Sequence, residues 1–497
     1  MALSVLAALA FATGASGQSA DALIQKLIQK GVLTEQEGKD LLTESTTTNL
    51  ANKSKWKIGD AVKNIELFGD LRFRYEYRGI DNPQNLTGVT NNHTYYRERF
   101  RYAARFGLHG DMFDDFYFGL RLETSSNPRS PWVTFGDDTT GTGSLNTTPF
   151  AKNSDGLAIG QAYVGWRPTD WFEFTVGKMP MPLYTTPMIW DADINPEGAV
   201  EKLKVGTKYV DFFANFGQFI YQDANPDLAL PSSDTFMLAW QMGSEVKFTK
   251  DITLKVAPVL YYYTGVGHTN NGTGAIGENQ IYNGEGITNA NFNNVQYAAT
   301  GVAQSGIVNQ SALNDLMVLE VPAELNFKIG RLKARVFGDF AYNVYGEDRA
   351  AAAYASAPRI LIDDGTGHLT PVGLTKSYPA ENKAYQVGFA LGNLGLVYGQ
   401  TSKKNTWEAR AYWQHIEQYA VDVNLIDSDF FEGRANLEGF YTAFAYSFTD
   451  AVIGTVRYGY AHPINENLGT GGDNPDLPGF NPINNYHLVQ LDLTCRF

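Results

Sequence analysis

From about Ile65 to the last residue, apolar and polar positions alternate with a period of two, the repeat of a strand with unlike faces. Leu71, Phe73, Tyr75 and Tyr77 interleave with Asp70, Arg72, Arg74, Glu76 and Arg78. Phe100, Tyr102, Ala104, Phe106 and Leu108 interleave with Arg97, Arg99, Arg101 and Arg105, and Phe116, Phe118, Leu120 and Leu122 with Arg121 and Glu123. Soluble sandwich strands run roughly 5–6 residues. These runs are longer and match the roughly 9–11 residues with which a tilted strand crosses a bilayer. Upstream the period is helical. Leu23, Ile24, Leu27 and Ile28 share a face, Gly31 is a stop, and Thr34 with Glu37 makes a capping box before Leu41 and Leu42. So short an amphipathic piece cannot bury its own apolar face. It needs another copy of the chain, a barrel rim or another periplasmic component. The polar run Thr43–Lys55 reads as a linker.

Turn signals set the strand count. Short connections fall near Gly110–Asp114, Arg167–Asp170, Gly206–Thr207, Lys250–Asp251, Gly330 and Thr449–Asp450, with a longer one near Gly392–Lys404. Between them lie polar segments rich in Gly, Asn, Thr and Pro, roughly 79–94, 125–156, 180–198, 222–232, 266–313, 347–381, 420–435 and 462–484. Short and long connections alternate, as in outer-membrane barrels. The expected fold is therefore all-β, an antiparallel up-and-down transmembrane barrel of about 16 strands, preceded by a helical segment. A strand at 199–205 is assigned partly for parity, so 18 strands stays open. The expected organisation is a signal peptide at 1–17, a periplasmic helical segment and linker at 18–60, and the barrel at 61–497. Met1–Phe11 is apolar and Ala-rich, and Ala15-Ser16-Gly17 fits a cleavage site, although no Lys or Arg precedes the apolar stretch.

Composition supports this reading. There are 28 Tyr, 30 Phe and 49 Gly, a mixture suited to strands and tight turns. Mean hydropathy is −0.26, and no apolar run reaches the roughly 20 residues of a spanning helix. The net charge of −14 argues against non-specific nucleic-acid binding, which needs a basic footprint. The one cysteine, Cys495, excludes an intrachain disulfide and a multi-cysteine metal site. At the C-terminus His487, Val489, Leu491, Leu493, Cys495 and Phe497 share one face, against Gln490, Asp492, Thr494 and Arg496. A last strand ending on Phe497 resembles the signal read by the bacterial barrel-assembly machinery, the expected partner in biogenesis.

The stretch Gly177-Lys178-Met179-Pro180-Met181-Pro182, followed by Trp190–Gly198, resembles the bacterial putative-porin family. So do the helical segment at Leu23–Leu42 and the run Asp427-Ser428-Asp429-Phe430-Phe431-Glu432-Gly433 before one of the last strands. The resemblance covers most of residues 21–497 and implies an outer-membrane channel in the bacterial cell, surrounded by lipid and assembled as a homotrimer. It leaves the solute open.

Candidate lumen chemistry begins with Arg72, Arg74, Arg78, Arg97, Arg99, Arg101, Arg105 and Arg121, all on one parity of the first three strands. Facing lipid, an arginine would cost roughly 2–4 kcal/mol at mid-bilayer, so this parity is assigned to the lumen. The third long loop, 180–198, carries Asp191, Asp193 and Glu197 between prolines. Folded inward, as in general porins, it would set acids against the basic wall and create a transverse field at a constriction. The bland alternative is that the arginines pair with Asp70, Glu76, Asp115 and Glu123 and only solvate the wall. Further lumen charges are mixed, with Glu320, Glu324, Lys328, Lys333, Arg335, Asp339, Glu408 and Arg410. Tyr75, Tyr77, Tyr95, Tyr96, Tyr261 to Tyr263, Trp407, Trp413, Tyr458 and Tyr460 are assigned to interfacial girdles rather than to a sugar-stacking lumen track. Glu98 breaks the pattern with lipid-side parity.

No His-Glu-x-x-His, nucleophile-elbow or phosphate-loop pattern occurs, and no metal, cofactor or catalytic residue is expected. Loop acids such as Asp137-Asp138 and Asp223–Asp227 are read as solvated, with a structural calcium as the alternative. The chain thus reads as a passive pore for small hydrophilic solutes. Its rivals are a surface or adhesive barrel and, less supported, an outer-membrane enzyme.

Overall fold

The computed structural model describes residues 61–82, 93–125, 130–136, 156–222, 235–264, 316–347, 360–363, 369–372, 380–465, 470 and 483–497. The expected signal peptide and helical segment lie outside the described residues, as do Asp137-Asp138 and Asp223–Asp227. Asn64–Phe497 forms one compact unit.

That unit is a closed antiparallel barrel of 16 strands. In chain order they are β1 (Glu66–Asn82), β2 (His93–Asp111), β3 (Phe116–Thr124), β4 (Leu157–Thr169), β5 (Phe172–Lys178), β6 (Glu197–Gly206), β7 (Val210–Gln222) and β8 (Thr235–Thr249). There follow β9 (Ile252–Val256, continued by Val259–Thr264), β10 (Met317–Glu320, continued by Ala323–Ile329), β11 (Leu332–Asn343) and β12 (Lys383–Gly392). The last four are β13 (Thr406–Ile416), β14 (Leu437–Ser447), β15 (Val452–Pro463) and β16 (Asn485–Arg496). Three short strands are additional: Val133–Thr134, which pairs with β2, and the hairpin Ile360–Asp363 with Leu369–Val372.

β16 closes on β1 in a register that sets Leu71 opposite Cys495 and Phe73 opposite Leu493. Phe497 extends the seam, exchanging backbone hydrogen bonds with Gly69 of 3.0 and 3.1 Å. Closure leaves the barrel itself, among the described residues, without an edge strand. β9 and β10 are each interrupted at a proline, Pro258 and Pro322, because proline has no N–H for the ladder. Their carbonyls stay in use, accepting from Met242 (3.0 Å) and Ala257 (3.1 Å), so the wall is continuous across both breaks.

The two faces follow the alternation. Leu71 and Phe73 are 44% and 46% exposed on the outer face, whereas Arg74 and Glu76, of the opposite parity on the same strand, are 4% and 0% exposed on the inner one. Glu98 does lie on the outer face. It pairs opposite Tyr77 and accepts a 3.3 Å hydrogen bond from the Tyr75 hydroxyl, so tyrosines flank the carboxylate.

Candidate functional site

The inner faces of β1, β2, β3 and β16 carry a network of ion pairs. Glu76 sits at its centre, buried, with Arg78 at 3.1 Å, Arg74 and Arg101 each at 3.7 Å, and Arg99 donating from Nε at 2.6 Å. Asp492 of β16 holds Arg74 at 2.8 Å and also pairs with Arg457 of β15. Nearer the short-turn end, Asp70 takes Arg72 at 2.7 Å and Arg105 at 2.9 Å, and Glu123 takes Arg121 at 2.9 Å. Register explains the clustering: β1 and β2 place Arg74 opposite Arg101 and Glu76 opposite Arg99, so like charges would face each other without interleaved acids. Arg97 stands opposite Arg78 on the same wall.

The third long connection, residues 179–196 (loop 3), folds into the barrel. Its neck is built on two glycines, Gly177 and Gly198, which pair across β5 and β6. At φ 121°, a Cβ on Gly177 would meet the Ala162 carbonyl oxygen at 2.3 Å, and one on Gly198 would meet that of Gln218 at 2.1 Å. Only glycine fits there, which accounts for both glycines of the loop-3 motif. Beyond the neck, Tyr184 N–H donates to Gln241, Thr185 to Glu320 (2.7 Å) and Thr186 to Asp339 (2.5 Å), fastening the loop to β8, β10 and β11. Leu183, Met188, Ile189 and Trp190 are buried inside the barrel. On the returning limb Asp193 lies 3.4 Å from Arg105, and Asn195 accepts from Gln161 of β4 at 2.9 Å.

A second segment also crosses the lumen. The seventh long connection, residues 417–436 (loop 7), leaves β13 and reaches β7, where the Tyr221 hydroxyl donates to Asp422 at 2.6 Å. It then meets loop 3. Asp191 N–H donates to the Leu425 carbonyl (2.6 Å), Asp427 N–H to the Pro187 carbonyl (3.0 Å), and Ser428 donates to the Asp191 carboxylate through N–H and Oγ (3.1 and 3.0 Å). Asp429 arrives 2.6 Å from Arg74. Phe430 is buried against Tyr412 and Tyr441, Phe431 is buried beside Phe430, and Glu432 and Arg434 form a buried 3.1 Å pair. From the opposite end, the connection 393–405 bends inward too. Val397 N–H donates to Glu408, and its carbonyl accepts from Arg457, each at 3.0 Å.

The sequence-derived residues therefore divide. Arg105 and Asp193 are brought together, and the wall pairs with Asp70, Glu76 and Glu123 form as well. Asp191 is inside but turned toward loop 7, not toward the arginines. Glu197 is a correction. It is the first residue of β6, pairs with Lys178 at 3.0 Å on the outer face, and takes no part in the basic wall, because Gly198 already lies in the ladder. Tyr261 and Tyr263 are a second correction. They are buried inside, with Tyr261 donating to Glu320 at 2.7 Å, and only Tyr262 of the three has the outer parity. Asp115 sits in the turn before β3 at φ 64°, where its carbonyl accepts from the Arg167 N–H at 2.9 Å. In the sequence loop 7 stands out only as a long polar connection with a motif in it. The one signal of its role was the adjacency of two aromatics to two acids in a polar loop.

A profile of the family described as "Putative porin" matches residues 48–497. No curated protein matches the chain. Among solved structures the chain is similar to OprB of Pseudomonas putida, in a high-pH structure, at 12% identity and TM-score 0.45, over 91% of this chain and 96% of that one. It is similar to the outer membrane channel DcaP of Acinetobacter baumannii at 13% identity and TM-score 0.38, over 89% and 99%. OmpF of Salmonella typhi, in complex with daunomycin, matches at 8% identity and TM-score 0.41, over 88% and 99%.

Proposed function

We propose that this chain, which belongs to the putative porin family, passes small hydrophilic solutes by passive diffusion through a charge-selective constriction with a preference for anions. The family and the barrel place it in the bacterial outer membrane and point to a channel rather than an enzyme. The observation that carries the finer reading is loop 3 inside the barrel, with Asp193 3.4 Å from Arg105. Opposed charges across a narrow lumen orient dipolar solutes and sort ions by sign. The acids nearest the wall are themselves held by arginines, while the remaining strands add Lys202, Lys204, Lys247, Lys255, Lys333, Arg335 and Arg410 to the inner face against Glu173, Asp211, Glu245, Glu320, Glu324, Asp339 and Glu408. The strand wall thus leans basic through the arginines of β1 to β3, although loops 3 and 7 add Asp191, Asp193, Asp427 and Asp429 and the whole chain is acidic.

The test is single-channel conductance in a planar bilayer under a salt gradient. Arg72, Arg105 and Arg121 have partly solvated side chains, so their combined replacement by alanine is expected to lower the anion preference while stepwise openings persist. Openings with unaltered selectivity would remove the arginine wall as the filter. Folded wild-type protein without openings would sink the channel reading itself.

Assembly is proposed to run through the C-terminal strand and to end in a homotrimer, with residues 18–60 as a periplasmic contributor. Deleting Phe497 removes two backbone hydrogen bonds at the β1–β16 seam. The expected result is a smaller fraction of heat-resistant, fast-migrating barrel in outer-membrane preparations. An undiminished fraction would exclude Phe497 as an assembly determinant.

A further inference from the structure

We infer that loop 7 is the second jaw of the constriction and that Asp429 is the acid that sets its ion selectivity, an inference that rests on the channel reading above. Asp429 touches the arginine wall more closely than any loop-3 acid in the described residues. Its carboxylate lies 2.6 Å from Arg74 and 3.8 Å from Arg78, and it accepts a 3.0 Å hydrogen bond from Gln490. Arg74 and Arg78 have side chains only 3% and 1% exposed, whereas that of Asp429 is 29% exposed. Asp429 is thus the exposed edge of the cluster it forms with Arg74, Arg78 and Glu76, the side chain among these four that a permeating ion can approach.

Its position is built in. Phe430, the next residue, packs on Gly459 of β15, where a Cβ would lie 2.6 Å from the ring, and its own ring is 5.4 Å from that of Tyr441. On the other side Ser428 is tied to Asp191 of loop 3. The Asp429 carbonyl accepts from Arg78 at 3.0 Å, so backbone and side chain are both fixed against the wall. The run Asp427–Gly433 then has a physical reading: an aromatic anchor that carries one acid to two arginines.

Removing this charge leaves Arg74 and Arg78 less compensated at a solvated edge. In Asp429→Asn the chloride-to-potassium permeability ratio is expected to rise roughly twofold or more, the effect of one unit charge about 8 Å from an ion in a watery pore. Asp429→Glu, which keeps the charge, is expected to restore the wild-type ratio. Circular dichroism and heat-modifiable mobility establish that each variant is folded. Should Asp429→Asn misfold, the Asp429→Glu and Asp429→Ser variants carry the comparison. A ratio unchanged by loss of this charge, in protein whose selectivity still responds to the arginine replacements, would overturn the inference and leave the channel reading intact. A ratio insensitive to both would overturn the arginine filter as well.

Discussion

Glu76→Gln is expected to destabilise the barrel by about 3–5 kcal/mol, the usual cost of removing one partner from a buried charge network. Glu76 has no solvent exposure and serves four guanidinium groups, Arg74, Arg78, Arg99 and Arg101, while accepting from Gln490 at 2.9 Å. Glutamine keeps the shape but adds N–H donors where the site needs acceptors, and it leaves the positive charges facing one another. The measurement is the urea midpoint of the detergent-solubilised barrel, followed by loss of heat-resistant mobility. Asp211→Asn is the control. Asp211 and its partner Lys247 are each more than a third exposed, and an exposed pair contributes at most about 1 kcal/mol. Equal losses in the two variants would mean that Glu76 does not organise the network.

The barrel was legible because its energetics are local. Each strand must show lipid an apolar face, so Leu71, Phe73, Phe100 and Phe106 had to alternate with charge, and tight turns such as Lys250–Asp251 had to punctuate the strands. The inner chemistry was legible only in part. Parity told which arginines face inward, yet it could not tell which acid meets which arginine, since Asp429 and Arg74 are 355 positions apart. Tyr261, Tyr262 and Tyr263 gave no parity signal, being three like residues in a row just past the break at Pro258. Whether a loop enters a barrel depends on what receives it. Loop 7 is received by the bare face of Gly459, 29 positions from Phe430, and by Tyr412 and Tyr441 on its own flanking strands, whose inward parity does not by itself show that a loop seats on them.

The joint between loops 3 and 7 is expected to loosen as pH rises from about 4 to about 7, and conductance to grow with it. Burial first, and then the negative charge of Asp429, push the Asp427 carboxyl up to about 7. Burial and Asp427 likewise raise Asp191, to which Ser428 is bonded. The other groups facing this pair are Asp193, raised by burial, and Arg74, which opposes the rise. Burial works the other way on Asp429, but the charge and hydrogen bond of Arg74 hold it below its ordinary range, so it stays ionised throughout this window. A carboxyl whose value is higher in the ordered loop than its ordinary 3.8 binds more protons there. Its stabilising effect is complete below about pH 4, declines as pH rises, and is gone above about pH 7, a swing on the order of 4 kcal/mol. Wild-type conductance at fixed salt is therefore expected to be larger at pH 8 than at pH 5. In Asp427→Asn, neutral at every pH, the difference should shrink to the part owed to Asp191. An equal pH response in wild type and variant, or a conductance that falls with rising pH, would show that this pair of carboxyls does not hold the two loops together.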